Sequence, residues 1–243
     1  MSSDKKISLF ICSLLILYFL INSWDSALIV PVNHVDGAYQ TASSLFRIYH
    51  NQLPGRDFYP YLGLGPIYGI FPLFIVLGGK ITSSLAATKL VCFLTAWLAV
   101  TAVYLFTFDD KKLTSAILFS GTLVVLIALF AVYLGPAKHI NFLIEPGVSL
   151  RSIRSSLVYI VAIAFYLLRT KQASVFCYSL PLSLCFIWSN DFAFTTFLIM
   201  FTTLALASLF VAPPRKIIID LCVTFIASVV LGFFWIYILT AGY

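Results

Sequence analysis

Three carboxylates stand in polar interruptions of an otherwise apolar chain. Asp36 lies in Asn33-His-Val-Asp-Gly-Ala-Tyr39, Glu145 in the stretch from Gly135 to Arg154, and Asp191 in Trp188-Ser-Asn-Asp191. His34, Arg56, Asp57 and Tyr59 accompany the first, and Lys138, His139, Arg151 and Arg154 the second. Cations held beside a lipid-facing cavity are what a phosphate or pyrophosphate headgroup requires, because arginine can pair with it bidentately. Residues of these types suit carboxylate-based group transfer on a lipid-linked anionic donor. Asp191 is a functional candidate by default, since an ionisable group near membrane depth is costly and usually faces a polar cavity.

Several of these residues also have an ordinary reading. Asp36 sits where a helix begins, and a carboxylate there accepts free backbone N–H groups. Arg56 beside Asp57 is by default a solvated pair; the functional alternative gives Arg56 an anionic ligand and leaves the neighbouring aromatics, Tyr59 among them, to pack against an apolar or sugar-like one. Arg151 and Arg154 at a span end are equally suited to anchoring among lipid headgroups. Asp191 could cap a helix, and Asp220 could pair with Arg215 or Lys216.

What must position these groups is a membrane bundle. The 243 residues are 61% hydrophobic and 10% charged, with a mean hydropathy of +1.03, too little polar surface for a water-soluble globule. Apolar runs cover 7–24, 65–79, 83–107, 113–134, 155–168, 173–189, 192–212 and 217–239. In lipid only a helix satisfies its own backbone within one segment, and the runs lack the alternation of barrel strands. The fold class is therefore all-α, a polytopic transmembrane helix bundle forming a single domain over 1–243.

Two runs, 65–79 and 155–168, are short for independent crossings,. Eight crossings would divide the basic loop residues evenly between the two sides, which the positive-inside rule disfavours. One net crossing for 65–107 gives seven crossings instead. Asp109-Asp-Lys-Lys112, Arg169-Thr-Lys171 and Pro213-Pro-Arg-Lys216 then join the N-terminus in the cytoplasm, and Asp36, Glu145 and Asp191 all face outward. Met1 to Lys6 with 7–24 reads as a retained anchor rather than a cleaved signal, because the residues after Trp24 make a poor small-residue cleavage site,.

The first external loop, 25–64, contains an amphipathic helix. Ala38, Tyr39, Ala42, Leu45, Phe46 and Tyr49 recur on one face and Gln40, Ser43, Arg47 and His50 on the other, as in a helix lying in the membrane interface,. Leu53-Pro-Gly-Arg-Asp-Phe-Tyr-Pro-Tyr-Leu-Gly-Leu-Gly-Pro66 then turns the chain back toward the membrane,. The second polar loop covers 135–154. The five cysteines fall in apolar runs without metal or disulfide spacing,. No Walker A loop, GxGxxG, HExxH or GxSxG occurs, which counts against nucleotide-driven transport, dinucleotide chemistry and zinc proteolysis,. The net charge of +6 sits mostly in short loops, where topology explains it better than nucleic acid does,.

A first span, an external loop with an early acid, an amphipathic helix, the Pro54-Gly-Arg-Asp-Phe58 turn and a return to the membrane resemble the integral-membrane glycosyltransferases of the GT-C superfamily. The similarity is strongest over 33–80. It implies transfer of a sugar from a polyprenyl-phosphate carrier at the outer face of a bacterial inner (plasma) membrane, in cell-envelope polysaccharide or glycolipid assembly. Asp36 would be the base or positioning acid, Glu145 or Asp191 the second acid, and Arg151 or Arg154 the holder of the leaving phosphate. A divalent cation is compatible with such a site, as are a second membrane subunit and bilayer lipid as partners. The tandem acidic pair often seen in that family's first loop is here Asp36 followed by Gly37. A lipid-linked-sugar translocator and a non-catalytic subunit are the alternatives from other classes.

Overall fold

A computed structural model describes residues 10, 13, 14, 17, 35–107, 113–133, 150–209 and 214–242, and the regular structure among them is helical. Helix α1, Val35–Tyr49, is amphipathic as its spacing predicts. Ala42 and Leu45 are buried while Gln40, Ser43 and Arg47 are exposed. Part of its apolar face packs against the rest of the protein. Leu45 belongs to a core with Ile70, Phe74 and Ala87, and the Phe74 ring meets Phe46 and Tyr49 edge-on at 5.4 and 6.0 Å. The protein covers Ala42 and Leu45 of that stripe, and leaves Tyr39 and Tyr49 exposed.

Helix α2, Leu64–Val76, has 13 residues. At 1.5 Å per residue it is about 20 Å long, short of the roughly 30 Å hydrocarbon layer. It ends in Gly78 and Gly79, both at positive φ, and a Cβ at Gly79 would press on the Tyr49 ring at 3.4 Å. Helix α3, Ile81–Thr107, and helix α5, Arg151–Thr170, run side by side in the same direction. Cys92 Sγ lies 3.1 Å from Ser152 Oγ, and further along Leu105 packs with Tyr166. The first three turns of α3 therefore stand beyond the start of α5. Because Gly65 N–H donates to the Ile187 carbonyl at 2.7 Å, α2 also begins at the level where α5 begins. Residues 64–107 thus traverse the bundle once, with α2 and the start of α3 forming a hairpin beyond it. Helix α4, Leu113–Tyr133, packs back along α3, with Thr101 Oγ1 and Ser120 Oγ 2.6 Å apart.

The expected continuous span over 173–189 is broken. Helix α6, Ser179–Ser183, is a single short turn between the 3-10 turns Val175–Tyr178 and Leu184–Phe186. Pro181 supplies no backbone N–H, and the Ser183 hydroxyl donates to the Leu180 carbonyl, so the local hydrogen bonding is diverted from a regular ladder,. The segment still returns the length of α5, with Phe165 against Tyr178 at one end and the Trp188 indole N–H donating to the Arg154 carbonyl at the other.

Helices α7, Asn190–Leu209, and α8, Pro214–Leu239, complete the described bundle. Thr224 Oγ1 donates to the Val175 carbonyl and Trp235 Nε1 to Ser183 Oγ, so α8 runs alongside the broken segment. Four helices, Ile81–Thr107, Ser152–Thr170, Asp191–Ser208 and Lys216–Leu239, are long and apolar enough to cross a membrane. Phe194, Phe233 and Tyr237 point outward from them, as lipid-facing side chains do. The chain is a helical membrane bundle. Arg169, Lys171 and Lys216 gather at one end, and the starts of α2, α5 and α7 with the C-terminus of α8 gather at the other.

Candidate functional site

Two residues singled out in separate polar islands meet at that second end. Arg154, in the first turn of α5, forms an ion pair through Nη2 with Asp191 Oδ2, in the first turn of α7. The start of α5 is set by Leu150, which is buried and adopts a left-handed φ of 50°. That conformation is unfavourable for a branched side chain and is held by the surrounding core. The Arg154 guanidinium also lies over the Phe192 ring, 5.5 Å from its centroid. The pair is asymmetric: the arginine side chain is 12% exposed and the aspartate side chain 52%. One charge is set into the protein while the other faces outward. Asp191 lies within α7 and holds Arg154, whereas the position preceding the helix belongs to Ser189.

Ser189 and Trp188 have surroundings that the sequence reading did not assign. The Ser189 side chain is buried, and its Oγ has no hydrogen-bond partner; Arg154 Nε is likewise buried without one. Trp188 lies directly against the turn before α2. A Cβ on Gly63, whose φ is +90°, would fall 1.9 Å from the Trp188 carbonyl oxygen, and one on Gly65 would fall 2.4 Å from the indole. Only glycine permits that approach. Here a cleft of about 310 Å³ opens between Tyr59, Pro60, Trp188, Ser189, Ile236 and Thr240. The Gly-Leu-Gly spacing was the available signal, but in the sequence it read as turn geometry alone.

Arg56 and Asp57 satisfy each other. Asp57 accepts hydrogen bonds from Arg56 Nε and Nη2 at 2.9 and 2.8 Å and from the Leu53 N–H at 2.8 Å. The Arg56 guanidinium, joined by the Leu53 amide, holds the Asp57 carboxyl down to about 2. Arg47 reaches the Asp57 carbonyl and lies over Phe58, so the turn is pinned to α1. Tyr59, 81% exposed, borders both the cleft and an open groove of about 710 Å³ along Tyr39, Gln40, Ser43 and Arg47 of α1.

Asp36 lies in the first turn of α1 and Arg151 is the first residue of α5, though both side chains lie outside the described residues, as do His34 and Glu145. Among the described residues the ion pairs are Arg154–Asp191 and Arg56–Asp57, so Asp220 does not pair with Lys216. No cluster of three or more His, Cys, Asp or Glu side chains forms among them. Cys92 and Cys185 are buried, and Cys177 and Cys222 face outward.

Compared with protein-family models, curated proteins and solved structures, the chain matches none.

Proposed function

We propose that the chain is a glycosyltransferase-like protein of a bacterial inner membrane. It takes a sugar from a polyprenyl-phosphate carrier and passes it to a hydroxyl acceptor in cell-envelope polysaccharide or glycolipid assembly. The observation that carries this reading is the Arg154–Asp191 pair, set at the same end of the bundle as the first-loop turn and its cleft. An inset guanidinium suits a phosphate that gains negative charge as it leaves. A carboxylate reachable from outside suits an incoming hydroxyl.

In this mechanism the acceptor oxygen bonds to the anomeric carbon as the bond from that carbon to the phosphate oxygen breaks. The electron pair leaves with the carrier phosphate, beside Arg154 and Arg151. The acceptor proton passes to a carboxylate, Asp36 or Asp191, with Glu145 as the further acid of the outer loops. Direct displacement inverts the anomeric centre. A divalent cation beside these carboxylates and a second membrane subunit are both compatible with the reading, and neither is needed to write the step.

The translocator alternative is less well supported. It calls for charges along a path through the bilayer, whereas 155–168 of α5 and 192–209 of α7 contain none and α3 contains Lys89 as its one charged residue. The experiment is a transfer assay in proteoliposomes with polyprenyl-phosphate sugars as donors. Transfer that falls at least 100-fold in folded Asp36→Ala or Asp191→Asn supports the enzyme; rates equal to background in the unaltered chain, across the donor panel, sink it.

A further inference from the structure

Helix α7 runs in the same direction as α3 and α5, since Asp191 meets Arg154 near its start while Met200 and Leu204 share a core with Phe165 further along. The last turns of the three helices bound a groove of about 430 Å³, at the end of the bundle opposite the Arg154–Asp191 pair. Leu105, Phe165, Met200 and Leu204 form its buried floor. Phe106, Thr203 and Ala207 form an exposed rim.

Two hydrogen-bond donors stand in this apolar lining. Arg169, in the last turn of α5, is exposed and is the charged residue among those that line the groove. Among the described residues it has no carboxylate, because the ion pairs are Arg56–Asp57 and Arg154–Asp191. The Tyr178 ring is packed against Phe165, with centroids 4.7 Å apart, and Tyr178 also lines the groove. Its hydroxyl makes no hydrogen bond among the described residues, yet it is not one of the polar atoms sealed from the surface, which are Arg154 Nε and Ser189 Oγ. The Arg169 guanidinium lies within electrostatic reach of that hydroxyl. A cation in the last turn of a helix is favoured by the helix dipole alone, but the dipole does not account for a second open donor beside it. A guanidinium and a phenol together offer donors to one oxyanion.

Depth decides what carries the oxyanion. Arg169 and Thr170 close the span Ser152–Thr170, at headgroup level, and Phe165 lies four residues or about 6 Å deeper. From Met200 to Ala207 the groove follows α7 for about 10 Å. Its rim residues face outward from helices long and apolar enough to cross a membrane, so it opens onto hydrocarbon. Basic pockets between spans are where anionic lipid headgroups bind.

We propose that this groove holds one anionic phospholipid of the surrounding leaflet, with an acyl chain laid over Leu105, Phe165 and Met200 and the phosphate on Arg169 and the Tyr178 hydroxyl. The volume is within the range of ligand sites, roughly 300 to 1,000 Å³. It admits part of one chain, and the remainder of the lipid stays in the bilayer. The site lies away from the transfer chemistry and does not depend on that reading.

The test is native mass spectrometry of the full chain in detergent, titrated with phosphatidylglycerol, with phosphatidylcholine of the same chains, and with palmitate. One phosphatidylglycerol is expected to bind about fivefold more tightly than phosphatidylcholine. Arg169→Gln should erase that preference, and Tyr178→Phe should weaken phosphatidylglycerol about fivefold. Ala207→Phe, a change on the exposed rim that fills the groove, should weaken both phospholipids at least tenfold. Lys171→Gln, outside the groove, should leave binding unchanged. Equal binding of the two phospholipids by the unaltered chain, or an unchanged preference in Arg169→Gln, would overturn the proposal. So would equal losses in Arg169→Gln and Lys171→Gln, which would mark diffuse surface charge. Palmitate bound as tightly as phosphatidylglycerol and lost in Arg169→Gln would make the occupant a single-chain carboxylate instead. Dimers that Ala207→Phe dissociates would show a second copy of the chain seated there, and no lipid.

Discussion

Arg154 and Asp191, 37 residues apart in the chain, are joined guanidinium to carboxylate across the starts of two helices. Both α5 and α7 direct the positive ends of their dipoles to this place. Asp191 is stabilised there by both helix ends and by the arginine, and Arg154 needs the carboxylate to offset its placement among them.

Removing one partner should therefore do more harm than removing both. Arg154→Ala is expected to lower transfer by roughly 100-fold or more, the usual effect of losing a group aimed at developing charge. Asp191→Asn should also destabilise, because it leaves a largely buried guanidinium uncompensated. In a double-mutant cycle read by thermal unfolding, Arg154→Met with Asp191→Asn should be more stable than Asp191→Asn alone. Strict additivity would show that the pair is not coupled.

Gly63 and Gly69 lie six residues apart and should respond oppositely to alanine. At Gly63 the new methyl collides with the Trp188 carbonyl at a positive φ, so the loss should exceed 1 kcal/mol, beyond the usual range for glycine-to-alanine changes. At Gly69, within α2, nothing lies within 4 Å of the new methyl, and helix propensity should stabilise by up to about 1 kcal/mol. Melting temperatures of the two variants compare them directly.

The turn at Asp57 predicts an acid limit. Its carboxyl is held at about 2, below its ordinary 3.8. A lowered carboxyl contributes to the folded state above the ordinary value and loses that contribution as pH falls through the folded one. The Leu53 amide resonance, which reports the hydrogen bond to Asp57, should stay constant from pH 8 to about 4 and move with a midpoint near 2. A midpoint near 4 would show that the Arg56 fork does not form in solution.

Phe74 fastens α1 to the hairpin through its contacts with Phe46 and Tyr49. Phe74→Ala is expected to cost about 3–5 kcal/mol, as for other fully buried aromatics. Limited proteolysis near His50 should accelerate at the same time. Unchanged proteolysis would mean that other contacts hold α1.

The apolar runs at 83–107, 113–134, 192–212 and 217–239 correspond to helices that differ from them by a few residues at either end, because hydropathy alone decides such segments. Over 155–168 the run is trimmed: the helix begins four residues earlier, at Arg151, where charged residues lower the hydropathy while buried Ile153 still packs. Over 173–189 the same signal misleads, since the run is apolar enough for one helix but contains Pro181 and serines that break it. Arg154 and Asp191 were each recognisable by type, yet their pairing depends on how α5 and α7 are arranged, and no local pattern encodes that. Ser189 was unremarkable for the same reason: what distinguishes it is a partner it lacks, which only packing reveals.

Tyr68 donates its hydroxyl proton to the Leu239 carbonyl across 171 residues, at 2.7 Å, and Gly65 N–H is bonded to Ile187. A ribosome must therefore release residue 187 before the hairpin finds its first backbone anchor, and residue 239 before it finds the second. The core that Leu45, Ile70 and Phe74 share with Leu150 and Ile153 can close earlier, but the cleft comes into being only as α8 delivers Ile236 and Thr240.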